Sequence, residues 1–265
     1  MSSIELEVKD QIAHVWLNRP DKLNAIDLDI LKGSISIAKE IKANRAVRGV
    51  IIAGRGKSFS AGLDFPAVTK RKRDIVLNFI PNPFSGVNLF QKAPWVWRSV
   101  PVPVVAAVHG HCFGAGLQIA TGADFRISTP DAKWSILEGK WGLIPDMSGT
   151  AALRDLLGDD VARRLVMSAE TISGQQAKDY GLVTEISDDP IASAQELIEL
   201  IAKRSPDSVA ASKALLNQTR HGSARHAFSR ERWLQLAMFR SPNRKVTLKA
   251  NANGEEPQFK PRSFD

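Results

Sequence analysis

His109-Gly110-His111-Cys112-Phe113-Gly114-Ala115-Gly116-Leu117-Gln118 is the stretch around which the rest of the chain arranges itself. It follows Val104–Val108, an apolar run of strand length, and leads into an apolar segment, Leu117 to Ala120, that reads as the start of a helix. A strand, a glycine-rich turn and a helix in that order make the repeating unit of an α/β fold. Such a turn presents unpaired N–H groups at the positive end of a helix, where a phosphate or an oxygen gaining negative charge is stabilised. Gly114-x-Gly116 lacks the third glycine of a dinucleotide fingerprint, and no acidic residue ends a second strand at the expected distance.

Working outward, Ile4, Leu6 and Val8 and then Ile12 to Leu17 alternate as two strands about a Lys9-Asp10 turn, and Asn18-Arg19-Pro20 ends the second. Asp27 is placed to cap a helix carrying Leu28, Leu31, Ile35 and Ala38, and 49–53 is a short buried strand. Residues 65–94, with a basic cluster and several prolines, read as a partly helical, mobile flap. Beyond Gln118, strands are expected at Asp124–Ser128 and Leu182–Ile186, with helices at Thr150–Leu157, Asp160–Met167 and Gly174–Tyr180. From Ile191 on the pattern is helical only. The expected organisation is an α/β core over 1–190 and a helical region over 191–265.

Composition sets limits. No apolar run reaches membrane-spanning length, and Met1–Asp10 is too polar for a secretory signal. A lone cysteine, Cys112, allows no intrachain disulfide and fits a reducing cytoplasm; it reads as a small buried thiol. A formal net charge of +8 favours anionic partners. Clusters at Lys70–Arg73 and Arg163-Arg164 fit either a solvated basic surface or a nucleotide-bearing small molecule, and no nucleic-acid-binding motif accompanies them. His109 and His111 lack a third ligand at metal spacing, so no metal site is expected.

Two more segments could carry chemistry. Ser60-Ala61-Gly62-Leu63-Asp64 follows a strand and a turn, and its small residues let a ligand approach the backbone. Glu138 and Asp146 flank an apolar loop holding Trp141, Leu143 and Ile144. Carboxyls beside apolar groups hold protons more tightly, which suits acid–base work. The alternative for Asp146 is a cap on the helix near Gly149.

Taken in order, these segments resemble the crotonase, or enoyl-CoA hydratase/isomerase, superfamily across nearly the whole chain. The pieces are Asn18-Arg19-Pro20-Asp21-Lys22-Leu23-Asn24-Ala25, Ser60–Asp64, His109–Gln118, Glu138 with Trp141–Pro145, and Ser173–Ala177 with Gly181-Leu182-Val183. The resemblance implies a spiral of ββα turns with an α-helical C-terminal trimerisation region, assembled as trimers or hexamers. It implies an acyl-CoA substrate whose thioester carbonyl lies between the Leu63 and Ala115 N–H groups. CoA would run along Lys22, Leu23, Ala25, Ala61 and Asp64, with no cofactor beyond that CoA moiety. Glu138 falls on the second of the hydratases' two glutamates. Gln118 falls on the first, and an amide cannot transfer a proton there. Asp146 falls where dienoyl-CoA isomerases place a second acid–base carboxylate. The resulting expectation is an enoyl-CoA enzyme using Glu138, Asp146 and Gln118, with double-bond isomerisation, hydration, or CoA-ester binding without strong catalysis as its possible activities. Apolar Phe228, Trp233, Leu234, Leu236, Met238 and Phe239 lead us to expect a homo-oligomer held through the C-terminal helices.

Overall fold

The alternating start of the chain dictates a hairpin, and the computed structural model, which describes residues 2–264, begins with one. β1 (Ile4–Lys9) and β2 (Ile12–Leu17) pair antiparallel. Their turn is Asp10-Gln11, with φ of 48° and 64°, the left-handed pair that suits strand twist. It lies one residue later than the turn read from the sequence. Asp27 caps α1 (Leu28–Ala43) by accepting a hydrogen bond from Ile30 N–H at 2.8 Å. The helix buries Leu28, Leu31, Ile37, Ala38 and Ile41, a stripe at helical spacing, and returns the chain so that β3 (Gly49–Gly54) runs parallel to β2.

Residues 65–94 divide into two parts. α2 (Phe65–Lys70) and α3 (Lys72–Phe79) are helical, and Val76, Leu77, Phe79, Ile80 and Phe84 are exposed. α4 (Leu89–Trp95) is different: an Asn88–Gln91 capping box starts it, and Phe90, Ala93 and Pro94 are buried. The flap read from the sequence therefore extends too far, because a proline near a helix end does not exclude packing. Pro94 instead sits in the last turn of α4, just before a tighter helical turn that buries Trp97.

The remaining elements are β4 (Val104–Val108), β5 (His111–Phe113), α5 (Ala115–Gly122), β6 (Phe125–Ser128), β7 (Lys133–Ser135), α6 (Gly149–Leu156), α7 (Asp159–Ser168), β8 (Ile172–Ser173), α8 (Gly174–Asp179), β9 (Glu185–Ile186), α9 (Pro190–Ala202), α10 (Pro206–Thr219), α11 (Ala224–Arg240) and α12 (Pro242–Asn253). Six strands form one sheet in the order β1-β2-β3-β4-β6-β9, parallel except at the first pair. β5, β7 and β8 form a second, smaller sheet. β3 and β4 are buried along their full length, as parallel strands covered on both faces must be. One face meets the main core; Ile12, Ile51, Val105 and Ile127 on the other meet Ala194 and Ile198 of α9. This mixed α/β architecture, with helices alone after β9, agrees with the organisation expected from the sequence. The last strand is shorter than expected, only Glu185–Ile186 of Leu182–Ile186. Among the described residues no helix is long and apolar enough to cross a membrane.

The C-terminal segment is fastened through Asp207. Its buried carboxylate accepts from Ser241 Oγ (2.6 Å), Asn243 Nδ2 (3.1 Å), Ser263 N–H (2.6 Å) and Oγ (2.9 Å), and Phe264 N–H (3.0 Å). These bonds hold its pKa below the ordinary aspartate value despite burial. Asp207→Ala leaves those donors unpaired and is expected to cost roughly 2–4 kcal/mol in urea denaturation. Because the folded-state pKa is depressed, the contribution is complete at neutral pH and fades as pH falls through that lowered value. An unchanged urea midpoint would rule this role out.

Candidate active site

The loops that reach the site are fastened by buried polar groups. Asn24 Nδ2 donates to Arg55 O (2.8 Å) and Ser58 O (2.7 Å), and its Oδ1 accepts from Arg19 N–H (2.8 Å). Ser60 Oγ donates to Asn24 O at 2.8 Å. His111 Nδ1 lies 2.9 Å from Ser58 Oγ, and His109 Nε2 lies 2.9 Å from Gly56 O, so both histidines join β5 and its approach to the 56–58 loop.

The 60–63 segment meets the end of β5 through a single parallel bridge. Ser60 bridges Cys112, with Ser60 N–H donating to His111 O (2.8 Å) and Phe113 N–H to Ser60 O (3.0 Å). Beyond that bridge the two segments stay close: a Cβ on Gly62, the residue before Leu63, would fall 3.2 Å from Phe113 O, two residues before Ala115. Neither the Leu63 nor the Ala115 backbone N–H has a partner among the described residues. Leu63 bridges Ile26, but those bonds use Gly62 O and Asp64 N–H. Ala115 is the first residue of α5, where N–H groups have no partner within the helix. Close approach is possible because Gly116 faces Ser60: a Cβ there would fall 2.5 Å from Ser60 Cβ.

Next to Gly114, the residue before Ala115, stands the Glu138 carboxyl. Glu138 Oε1 accepts from Gln118 Nε2 at 2.6 Å, while Oε2 is buried and has no hydrogen-bond partner. Gly114, which caps α5 at φ 45° and ψ −116°, leaves room for this carboxyl; a Cβ there would stand 3.3 Å from Oε1. Gln118 is itself 1 % exposed, and its Oε1 accepts from Met147 N–H (2.8 Å) and Gly149 N–H (3.0 Å). Burial pushes the Glu138 carboxyl above the ordinary glutamate range, hydrogen bonds from its own backbone N–H and from Gln118 offset part of that rise, and the negative charge of Asp146 adds to it. Asp146 does not cap α6, whose N-cap position is Ser148; the hydrogen bond that lowers its proton affinity is to its own backbone N–H. It lies at the exposed rim, yet partial desolvation still raises its proton affinity. A carboxyl with raised pKa next to the turn that carries the free Ala115 N–H, with a second carboxyl near enough to act on its charge, can move protons next to a carbonyl whose oxygen gains charge.

The enoyl-CoA hydratase/isomerase family pattern matches residues 7–262 of the chain. The chain belongs to the enoyl-CoA hydratase/isomerase family. It is 31% identical over 227 residues to the short-chain-enoyl-CoA hydratase of Clostridium acetobutylicum, covering 82% of each chain. It is 30% identical over 223 residues to the mitochondrial Delta(3,5)-Delta(2,4)-dienoyl-CoA isomerase of Dictyostelium discoideum, covering 81% of this chain and 76% of that one. The crystal structure of an enoyl-CoA hydratase from Bacillus anthracis superposes with a TM-score of 0.89 at 26% identity, over 97% of this chain and 99% of the other.

Leu23, Ala25 and Ala61 adjoin one another, with Ala61 N–H donating to Leu23 O at 2.9 Å. Lys22, half exposed, reaches Asp64 at 3.3 Å. Sequence reasoning missed Arg19, which binds Asp64 at 2.6 Å and Ala25 O at 2.5 Å; its only signal was a place in the Asn-Arg-Pro run. Against the opposing effect of burial, Arg19, the Ala67 N–H and Lys22 hold the Asp64 carboxyl below the ordinary aspartate range. The Met147 and Gly149 amides were also missed as parts of the site, since backbone groups leave no side-chain signature. Cys112 is fully buried and its thiol is pushed up by that burial, which removes it as a nucleophile. Arg163 and Arg164 pair with Asp159 and Glu170, both at 2.7 Å, on an exposed face. In the other basic cluster the Lys72 side chain lies outside the described residues.

Proposed function

We propose that this protein shifts a carbon–carbon double bond along an enoyl-CoA thioester, with Glu138 and Asp146 exchanging protons with the substrate. The observation that carries this reading is the state of Gln118. Both acceptor positions of its carbonyl are taken by Met147 and Gly149 N–H, so it neither titrates nor accepts a hydrogen from water. Hydration through two bases lacks its second base. Isomerisation needs one carboxylate to take a proton and one carboxylic acid to return a proton at a distant carbon. The C–H pair left behind becomes an enolate whose oxygen sits between Leu63 and Ala115 N–H. Those donors are oriented in advance, so they stabilise the enolate more than the starting thioester. The CoA moiety runs along Lys22, Leu23, Ala25, Ala61 and Asp64, where the Lys22 ammonium lies near its phosphates. The test is a panel of enoyl-CoA isomers separated by chromatography and weighed by mass spectrometry. Conversion at constant mass is expected; conversion only to products heavier by one water would overturn the reading.

Asp146 divides the two chemistries. Asp146→Asn is expected to lower isomerisation by roughly 10²-fold and to affect any hydration less. It also removes the negative charge that raises the Glu138 pKa, so the rising limb of the rate–pH profile moves to lower pH. A limb that stays in place would mean that the two carboxyls do not sense each other.

Assembly is part of the same reading. α11 leaves Phe228 (56 %), Trp233 (66 %), Leu236 (49 %) and Phe239 (52 %) exposed, which is a costly surface for a lone chain in water. A homotrimer or hexamer that covers these side chains is expected. Light scattering across micromolar concentrations checks it, and a strictly monomeric mass would exclude it.

A further inference from the structure

We infer that Gln118 is a positioning residue that selects double-bond migration over hydration: it ties down one oxygen of Glu138 and the turn that carries Asp146, leaving Oε2 as the one oxygen of Glu138 that carries a proton to or from the substrate. The inference rests on the proposed isomerase reading and deepens it.

The orientation of the Gln118 amide is not free. Its oxygen faces two donors, Met147 and Gly149 N–H, and its nitrogen faces an acceptor, Glu138 Oε1. A flip would turn all three contacts repulsive. Met147 and Gly149 flank Ser148, whose φ of 61° turns the backbone so that both amides meet one oxygen. Asp146 immediately precedes that turn. One buried side chain therefore holds both segments that carry a carboxyl, and it does so without titrating. Glu138 is fenced between this amide and Gly114, so its bound oxygen stays bound and its free oxygen stays free. A carboxyl with one usable oxygen takes a proton from carbon. Activating a water in addition would need a second group that accepts, and the Gln118 oxygen is fully engaged.

Two substitutions separate the parts of this role. Gln118→Glu can still accept from Met147 and Gly149, but an ionised carboxyl no longer donates to Glu138. Two carboxyls at this distance share a proton and titrate as a pair. At low pH the protonated partner donates as the amide does, so isomerisation persists. As pH rises through the pair's raised value, isomerisation falls and a water-activating carboxylate appears. Gln118→Met keeps the bulk and loses both sets of bonds.

The experiment measures isomerisation and hydration of an enoyl-CoA panel from acid to alkaline pH in the unaltered protein and both variants. Carbon-13 NMR of glutamate-labelled protein follows the Glu138 titration directly. For Gln118→Glu we expect the ratio of hydration to isomerisation to rise at least about tenfold, with an added pH-dependent loss of isomerisation. For Gln118→Met we expect kcat to fall, KM to hold, and the Glu138 titration to move upward, because the donor to Oε1 is gone. A merely structural residue would lower activity only in step with stability, with product ratio, rate–pH profile and Glu138 titration unchanged; that result overturns the inference. If the unaltered protein interconverts no isomers, the isomerase reading fails and the inference falls with it. If it does so and the variants alter only stability, the positioning role alone fails.

Discussion

Glu138→Gln is expected to lower kcat by roughly 10²–10⁴-fold while leaving the affinity for a CoA ester nearly unchanged. The amide oxygen can take over the bond that Oε1 accepts from Gln118 Nε2, so the shape of the site survives and only the transferable proton is lost. Folding gives an independent control. A buried carboxyl with an unpartnered oxygen and a raised pKa is less stable charged in the folded chain than in the unfolded one. It costs stability once pH exceeds its unfolded value, and that cost grows until pH passes the folded value. Glu138→Gln should therefore melt at the same temperature or higher at neutral pH. The rate–pH profile of the unaltered protein should rise through a value above the ordinary glutamate range, and that limb should vanish in the variant. Full activity in Glu138→Gln, with CoA-ester binding intact, would leave a binding protein or a different base.

Much of the fold was legible because its signals are local. The hairpin alternation, the Asp27 cap and the unbroken apolar runs of β3 and β4 each speak within a few residues. The second sheet was not. β5, β7 and β8 are two or three residues long and exist only through pairings such as Cys112 with Trp134 and Trp134 with Ile172. α5 begins at Ala115, not Leu117, and all eight of its residues are buried, so it carries no polar face to give a helical period. In the site, the order of motifs led to Gln118, Glu138 and Asp146, but their roles depend on contacts that spacing does not encode. Gln118 lies twenty residues before Glu138 and 2.6 Å from it. Its other partners are main-chain N–H groups, which any residue but proline would supply. Arg19 was hidden for the complementary reason: its partner Asp64 lies 45 positions on, in a segment read for its small residues.

Ala115→Pro is expected to lower kcat by roughly 10²–10³-fold with a smaller change in KM, because it deletes one of the two free N–H groups. The position permits this unusual substitution. Ala115 is the first residue of α5, and its N–H serves no bond within the helix. Proline is accepted at a first helical position, where its fixed φ suits the helix and its missing donor is not needed there. The residue before it, Gly114, has no Cβ and so escapes much of the steric restriction that proline places on its predecessor. Ala115→Ser keeps the N–H while altering the side chain, and should retain most of the rate. If the two N–H groups act together on the thioester oxygen, the loss in Ala115→Pro should appear in enolate formation, read as slower exchange of the substrate's α-hydrogen with solvent deuterium. Equal exchange rates in Ala115→Pro and Ala115→Ser, with the helix intact by circular dichroism, would remove Ala115 N–H from the chemistry and leave Leu63 N–H to be tested alone.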